Sequence, residues 1–599
     1  MEGNTWITAN QNYWLPTTKK EVKARDWDCL DVILFSGDAY IDHPSFGAAV
    51  IGRVLESQKL RVAIVPQPDW RGDFRDFTKL GKPRLFFGIA PGAMDSMVNH
   101  YTANKRLRSN DAYTPDNKPG MRPDYPSIVY TKILKQLFPD VPVVLGGIEA
   151  SLRRLAHYDY WQNRLRASIL VDSPADLLIY GMGEKPVIEL VKLMQKGVPF
   201  NRITNLPQTA YISNQITNPS ETDVILYSFE ECLENKIKHA ENFKVIEEES
   251  NKIVASRIIQ KTNDQYVMVN PPYPFVSTGE LDSWYDLPYT RLPHPKYKNK
   301  TIPAYEMIRH SVTIHRGCFG GCAFCTISAH QGKQIVSRSE QSILKEVKKI
   351  IEMPDFKGYI SDLGGPSANM YKMGGKDLNL CRKCKKPSCA FPKICVNLST
   401  DHRPLLSLYE KAGKISGIKK IFTGSGLRYD LLLHRCENED INSANRQYVE
   451  TLMKDHISGR LKIAPEHTEQ KVLQLMRKPP FSLFIQFKKI FDKINSEYNL
   501  KQQLIPYFIS SHPACTEFDM AELAVKTKKM NYHLEQVQDF TPTPMTLATE
   551  IFFTGVNPYN TAEKIYSAKT ASEKQSQRRF FFWYLAENSR KMMPFLRKS

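Results

Sequence analysis

The stretch DVILFSGDAY (31–40) is an almost unbroken apolar run, and FGAAVIGRVLESQ after it carries apolar residues at helical spacing. RVAIVPQP (61–68) is then a second apolar run, and the alternation continues. RLFFGIAPG (84–92), SIVYTKILKQLF, PVVLGGIEAS (142–151), DLLIYGMGE (176–184) and KPVIELVKLMQKG extend it. Strands apolar on both faces and separated by helices belong to a parallel sheet covered on both sides. Residues 1–200 therefore predict a doubly wound, Rossmann-like α/β domain. Its strands end in Gly37, Gly92, Gly146, Gly147, Gly181 and Gly183. Such ends bind ligands in open α/β sheets, and equally they make tight strand-to-helix turns. There is no GxGxxG, so a nicotinamide or flavin site is not supported.

A second series begins at 311. SVTIHRG (311–317), FKGYISDLGG (356–365), IKKIFTGSG (418–426), RLKIAPE (460–466), QQLIPYFISSH (502–512) and LEQVQDFTP (534–542) read as strands. Amphipathic helical stretches such as SEQSILKEVKKIIEM, RPLLSLYEKAGKI and MAELAVKTKKM separate them. Six βα units predict a partial (β/α)6 barrel over 306–545. HRGCFGG, DLGGPSANMY, TGSGLRYD, APEH and SSHP all follow strands, on the face where parallel barrels place their chemistry. Residues 201–305 are charged, rich in clustered prolines and weakly periodic, and read as a connecting region. Residues 546–599 form a basic and aromatic extension. Within it, Arg578 and Arg579 beside Phe580–Tyr584 read as an amphipathic helix docked on the core, with base stacking as the alternative.

Composition narrows the setting. Apolar content of 42% and charged content of 24% are those of folded protein, which argues against long disorder. No apolar run approaches the roughly 20 residues that span a bilayer. MEGNTWITANQNYWLP lacks the basic region and hydrophobic run of a secretory signal, so the cytoplasm is the expected location. Lysine and arginine number 82 against 63 acidic residues, a net +19 that suits nucleic acid or a plain solvated basic surface. The 11 cysteines are odd in number and clustered, which points to metal rather than disulfides.

Three of them, Cys318, Cys322 and Cys325, lie in RGCFGGCAFC, where Gly317, Gly320 and Gly321 let the backbone turn while the sulfurs converge. Structural zinc and a fully ligated cubane both ask for four ligands. Three leave one iron of a [4Fe–4S] cluster open, and an open position is where a substrate or cofactor binds. His315 and His330 are near enough in sequence to supply a fourth ligand to a structural site instead.

CxxxCxxC after the first strand of such a barrel resembles the radical S-adenosylmethionine (SAM) superfamily. The resemblance implies that the open iron chelates SAM, and that one electron cleaves it to methionine and a 5′-deoxyadenosyl radical. It implies an electron donor such as flavodoxin or ferredoxin. It also implies SAM contacts at Phe324, Gly364, Gly365, Ser425, Arg428 and Glu466, although LGGPS stands where GGE is commoner. VVLGGIEASLRRLAHYDYW, SDLGGPSANMY, LKIAPEHTE, LIPYFISSHP and QVQDFTPTP together resemble the YgiQ-type radical SAM proteins along nearly the whole chain. That family has an N-terminal α/β domain ahead of the barrel.

CRKCKKPSCAFPKIC, within an insertion at 376–400, holds Cys381, Cys384, Cys389 and Cys395. Four thiolates suit either a second Fe–S cluster or zinc, and the neighbouring lysines are expected to lower the thiol pKa values. The N-terminal sheet resembles cobalamin-binding domains, but DHPSFG (42–47) lacks the D-x-H-x-x-G spacing, so histidine ligation is unsupported; the alternatives are cobalamin without a protein ligand and, as the expectation, no cobalamin. The leading reading is a radical SAM iron–sulfur enzyme with nucleic acid as the first substrate class to test. The alternative is a non-catalytic zinc or Fe–S protein that docks RNA.

Overall fold

The computed structural model describes residues 13–588. The start of the segment read for a secretory signal (1–12) and the end of the basic extension (589–599) lie outside the described residues. The chain divides into two units: residues up to Lys238 with Val254–Arg309, and His239–Ile253 with residues from His310 onward.

Among the described residues, the first unit is built on a nine-stranded sheet. Its spatial order is Val62–Pro66, Val32–Ser36, Phe86–Ala90, Val143–Leu145, Leu177–Ile179, Thr209–Ser213, Gln265–Val269, Ile258–Thr262 and Val224–Ile225. The first five run parallel, in register from Val32 opposite both Val62 and Phe86. VILFS and VAIVP are buried at every position, which is why both read as unbroken apolar runs. Burying each such side chain is worth about 1.5–3 kcal/mol. Gly47–Ser57 packs on the first two strands and on Glu184–Gln195, while Pro126–Leu137 packs on the strands beginning at Phe86 and Val143. Right-handed crossovers in opposite directions along the sheet place these helices on opposite faces.

Residues 201–305 are not a connecting region. Four of their segments continue the same sheet, three antiparallel to a neighbour and the short Val224–Ile225 parallel to Ile258–Thr262. The hairpin turns at Asn263, whose φ of +53° is the left-handed conformation that a two-residue turn requires. Strands this short, with Lys261 and Gln265 facing water and a charged helix between them, carry too little periodicity to stand out.

Among the described residues, the second unit carries short strands in parallel pairs, alternating with helices. Ser311–Thr313 pairs with Asp362–Gly364, Tyr359–Ile360 with Lys420–Ile421, and Arg460–Glu466 with Gln503–Ser510, which pairs in turn with Gln536–Asp539. Helices Glu340–Ile351, Arg403–Gly413, Glu439–Asp455, Phe481–Glu497 and Glu517–Lys529 alternate with them, as expected of a partial (β/α)6 barrel. Val312, Ile343, Leu363, Leu408, Ile421, Leu452, Ile463 and Phe487 share one buried core. In the C-terminal extension, Phe580 and Phe581 are buried after helix Ala571–Arg579, and Gln577 of that helix bonds the Ser511 amide at 2.8 Å and the Cys515 carbonyl at 2.7 Å.

Candidate functional site

The glycine-rich loop leaves the first barrel strand through His315–Arg316, and its bends cannot be made by other residues. Gly317 has φ +85°, and a Cβ there would sit 2.0 Å from the Gln334 carbonyl oxygen. Gly321 has φ +59°, with the Pro387 carbonyl oxygen 2.3 Å from the same imagined atom. Between and after these turns, Cys318, Cys322 and Cys325 carry free, half-buried thiols. The Gly320 amide donates to Cys318 Sγ at 3.4 Å, and Arg428 Nη1 faces Cys322 Sγ at 3.8 Å. Burial raises the Cys318 pKa, and the neighbouring Cys322 adds to the rise. Burial pushes Cys325 up to about 12, again with Cys322 and Cys318 contributing. Thiolates crowded out of water repel one another and call for a cation.

Cys322 and Cys325 line a narrow cleft with a cavity volume of about 30 Å³, part of it open to solvent. Its other walls include Glu247, Ser250 and Asn251 of helix Lys236–Asn251, and Thr546 and Leu547 at the start of the C-terminal extension. Glu247 is fixed by Arg477, at 2.7 and 2.9 Å, and by the Tyr559 hydroxyl at 2.6 Å. Sequence reasoning missed this helix, and no signal in its charged composition ties it to a loop seventy-odd residues later.

Of the residues expected at SAM, Arg428 and Glu466 join the cysteines in one electrostatic neighbourhood. Arg428 pairs with Asp430, Nε to Oδ1 at 2.8 Å, and its own amide donates to Asn369 Oδ1 at 2.8 Å. Glu466 closes a strand whose register slips between Ile463 and Glu466, leaving it at φ +71°. Lys478 Nζ stands 3.7 Å from one of its oxygens, while the other, Oε2, is buried without a partner. Burial raises its pKa against the pull of Lys478. Ser425 instead donates its hydroxyl to Asp362, which also accepts the Gly424 and Ser425 amides at 2.8 and 3.2 Å. Gly364 lies against this pair, and Gly365 against the His315 ring, each too close for a Cβ. His315 donates Nε2–H to the Ser367 carbonyl at 2.9 Å and is thereby occupied in the strand. Phe324 meets His512 edge-on at 6.0 Å. His512 is wholly buried, and Asp362, Asp430, Lys478 and His512 are the neighbours that motif reading left out.

The second cysteine group packs on the first. Cys389 donates its amide to the Phe319 carbonyl at 3.0 Å, and the Ser388 hydroxyl donates to the Gly320 carbonyl at 2.8 Å. Asn397 Nδ2 approaches Cys381 Sγ at 3.4 Å, and Lys333 Nζ approaches Cys384 Sγ at 3.7 Å. The expected lowering of these thiol pKa values does not occur at Cys381 or Cys389. Burial outweighs Lys333 at both, and takes Cys389 up to about 11.

Among the described residues, no three His, Cys, Asp or Glu side chains close around a single point as ligands of one ion do. Three free thiols on a glycine-shaped loop, with the Arg428 cation and the orphaned Glu466 carboxylate oxygen beside them, offer the donor set of a three-cysteine cluster site.

Residues 14–311 match the family model described as radical SAM N-terminal. A UPF0313 protein of Bacteroides thetaiotaomicron is 64% identical over 98% of this chain and 96% of its own length. One from Porphyromonas gingivalis is 62% identical over 97% of this chain and 92% of its own, and one from Methanocella arvoryzae 45% over 95% and 93%. The chain belongs to the UPF0313 family. UPF0313 membership and the radical SAM N-terminal match together bear out the resemblance to a radical SAM family read from the motifs. Solved structures similar to this UPF0313 protein include the radical SAM methyltransferase TsrM of Kitasatospora setae, at 11% identity and a TM-score of 0.45, over 85% of this chain and 73% of that one. The radical SAM enzyme OxsB is matched at 11% identity and a TM-score of 0.48, over 89% of this chain and 56% of that one. TsrM is described with cobalamin and [4Fe–4S] bound, and OxsB as cobalamin-dependent. The expectation of no cobalamin is therefore not borne out by these comparisons. In this chain His43 is buried, with its Nδ1 accepting the Ser45 amide at 3.1 Å.

Proposed function

We propose that this UPF0313 protein is a radical SAM enzyme in which Cys318, Cys322 and Cys325 hold a [4Fe–4S] cluster and SAM binds beside it. The observation that supports this reading most is the position of the three free thiols. They follow the first parallel strand of the second unit, and two of them line the cleft. The chemistry such a cluster supplies is a single electron for the reductive cleavage of SAM to a hydrogen-abstracting radical. The chain's own residues hold and shield it. Arg428, fixed by Asp430, sets a positive charge against the Cys322 thiolate. Glu466 Oε2 is an acceptor for the amino or hydroxyl groups of the cofactor. Helix Lys236–Asn251 walls one side of the cleft and narrows its access to water, which favours radical chemistry.

Cys381, Cys384, Cys389 and Cys395 hold a second metal centre in this reading, Fe–S or zinc. Their hydrogen-bonded contact with the Cys318 loop favours an electron relay. A flavodoxin or ferredoxin would deliver the electron, and the +19 charge makes nucleic acid the first substrate class to assay.

Anaerobic reconstitution with iron and sulfide, followed by SAM and dithionite, should release 5′-deoxyadenosine, measured by mass spectrometry. Cys318→Ala should abolish it. Absence of product from wild type with an intact Fe–S spectrum, or full turnover in the variant, would sink the reading. Iron analysis separates the second centre: about eight irons per chain mark two cubanes, about four with stoichiometric zinc mark one.

A further inference from the structure

The strand order of the first unit reverses between Val32–Ser36 and Phe86–Ala90: the chain builds to one side with Val62–Pro66 and later to the other. Open α/β sheets take ligands beyond the carboxyl ends of the strands at such a reversal. Here the segments that follow Val62–Pro66 and Phe86–Ala90 line a cavity of about 380 Å³, open on one side. That lies within the roughly 300–1,000 Å³ of small-molecule sites.

The floor of the cavity is built and rigid. Arg122, fully buried, donates to Asp38 at 2.8 Å and to both oxygens of Asp111 at 3.2 Å. Gly92, at φ +147°, has no room for a Cβ, which would fall 2.2 Å from Arg122 Nη1. Every carboxylate lining the cavity is already engaged. Asp111 is taken by Arg122 and the Tyr113 amide, and Asp124 by His100 Nδ1 at 2.7 Å and the Tyr101 hydroxyl at 2.8 Å. The donors are not. Trp70 Nε1 and Asn99 Nδ2 are buried without a partner. Asn99 is 7% exposed. At the rim, Arg108 uses Nε on the Tyr101 carbonyl and Arg71 bonds the Gly120 carbonyl.

A wall with spent acceptors and unspent donors complements a group that only accepts. Two arginines at the mouth add positive charge, and Arg is suited to bidentate contact with an oxyanion. Leu107, Pro119, Pro123 and Val129 supply apolar surface beside it. We propose that this cavity binds a small organic phosphate. Its phosphate oxygens meet Arg108, the Asn99 Nδ2–H and the Trp70 Nε1–H. The organic part lies against the apolar wall.

Isothermal titration of the full, anaerobically prepared chain with inorganic phosphate and with adenosine 5′-monophosphate tests this. At least one probe should saturate below about 10 mM, with affinity falling as salt rises. Arg108→Ala, at an exposed position, should weaken it about tenfold, and Trp70→Phe, which keeps the ring and loses the N–H, by about three- to tenfold. Tighter binding of the nucleotide than of phosphate assigns part of the affinity to an organic moiety, and equal binding assigns it to the phosphate alone. Saturation by neither probe, or binding unchanged in both variants, would overturn the proposal.

Discussion

Arg428 is 8% exposed, pairs with Asp430, and turns its remaining nitrogen toward the Cys322 sulfur. A guanidinium taken out of water is tolerable only while its countercharges stay in place. Removing one partner of a buried pair costs about 3–5 kcal/mol, because the other is left uncompensated. Asp430→Asn should therefore destabilise the barrel unit by about that amount in urea titration. A loss under about 1 kcal/mol would mean that the thiolates alone hold Arg428. Arg428 and Glu466 were legible in GSGLR and APEH as polar residues after strands, but their partners were not. Residue type tells that Ser425 carries a hydroxyl. Which acceptor claims it depends on the loop geometry that presents Asp362, and burial decides that.

At the level of elements, the two cysteine loops act as one. The Ser388 hydroxyl accepts the Ala390 and Phe391 amides at 3.0 Å each while donating to the Gly320 carbonyl, so one side chain ties the insertion to the RGCFGGCAFC turn. Ser388→Ala leaves those buried groups unpaired, at about 1–3 kcal/mol. Amide exchange over residues 384–395 should quicken correspondingly, and exchange at the wild-type rate would show that the loops hold without it. Both cysteine groups were plain in the sequence as spacing. Their contact was not, since it runs through Pro387 and Ser388 meeting Phe319 to Gly321, residues with no pattern of their own. The βα alternation was legible because buried strands are apolar on both faces. Antiparallel Thr209–Ser213 and Gln265–Val269, partly exposed and interrupted by a charged helix, were not.

For the molecule as a whole, buried neutral histidines set its acid limit. Burial lowers His402 to about 4, His467 to about 3 and His512 to about 4. His402 faces Asn445 Oδ1 at 2.8 Å and Asn369 Nδ2 at 3.3 Å, so its second nitrogen meets a donor rather than an acceptor. In each case the unfolded chain binds a proton, near pH 6.5, that the folded chain refuses until about pH 4 or below. Stability from these groups is thus whole above about pH 6.5 and drains away as pH falls toward 4, by up to about 3 kcal/mol for each. Asp38, raised to about 6 by burial, acts in the opposite sense. Melting curves should shift down steeply from pH 7 to 5, and His402→Gln should flatten the slope. A melting point independent of pH there would contradict this account.

Helix Lys236–Asn251 is encoded between two strands of the N-terminal sheet, yet from His239 it is counted with the barrel. The polypeptide therefore passes between the units at 238–239, 253–254 and 309–310. No single cut yields two intact halves. A gene fragment opening at codon 310 would encode a barrel stripped of one wall of its cleft, so recombination can exchange this barrel as a cassette only by carrying an interior piece of the first unit along with it.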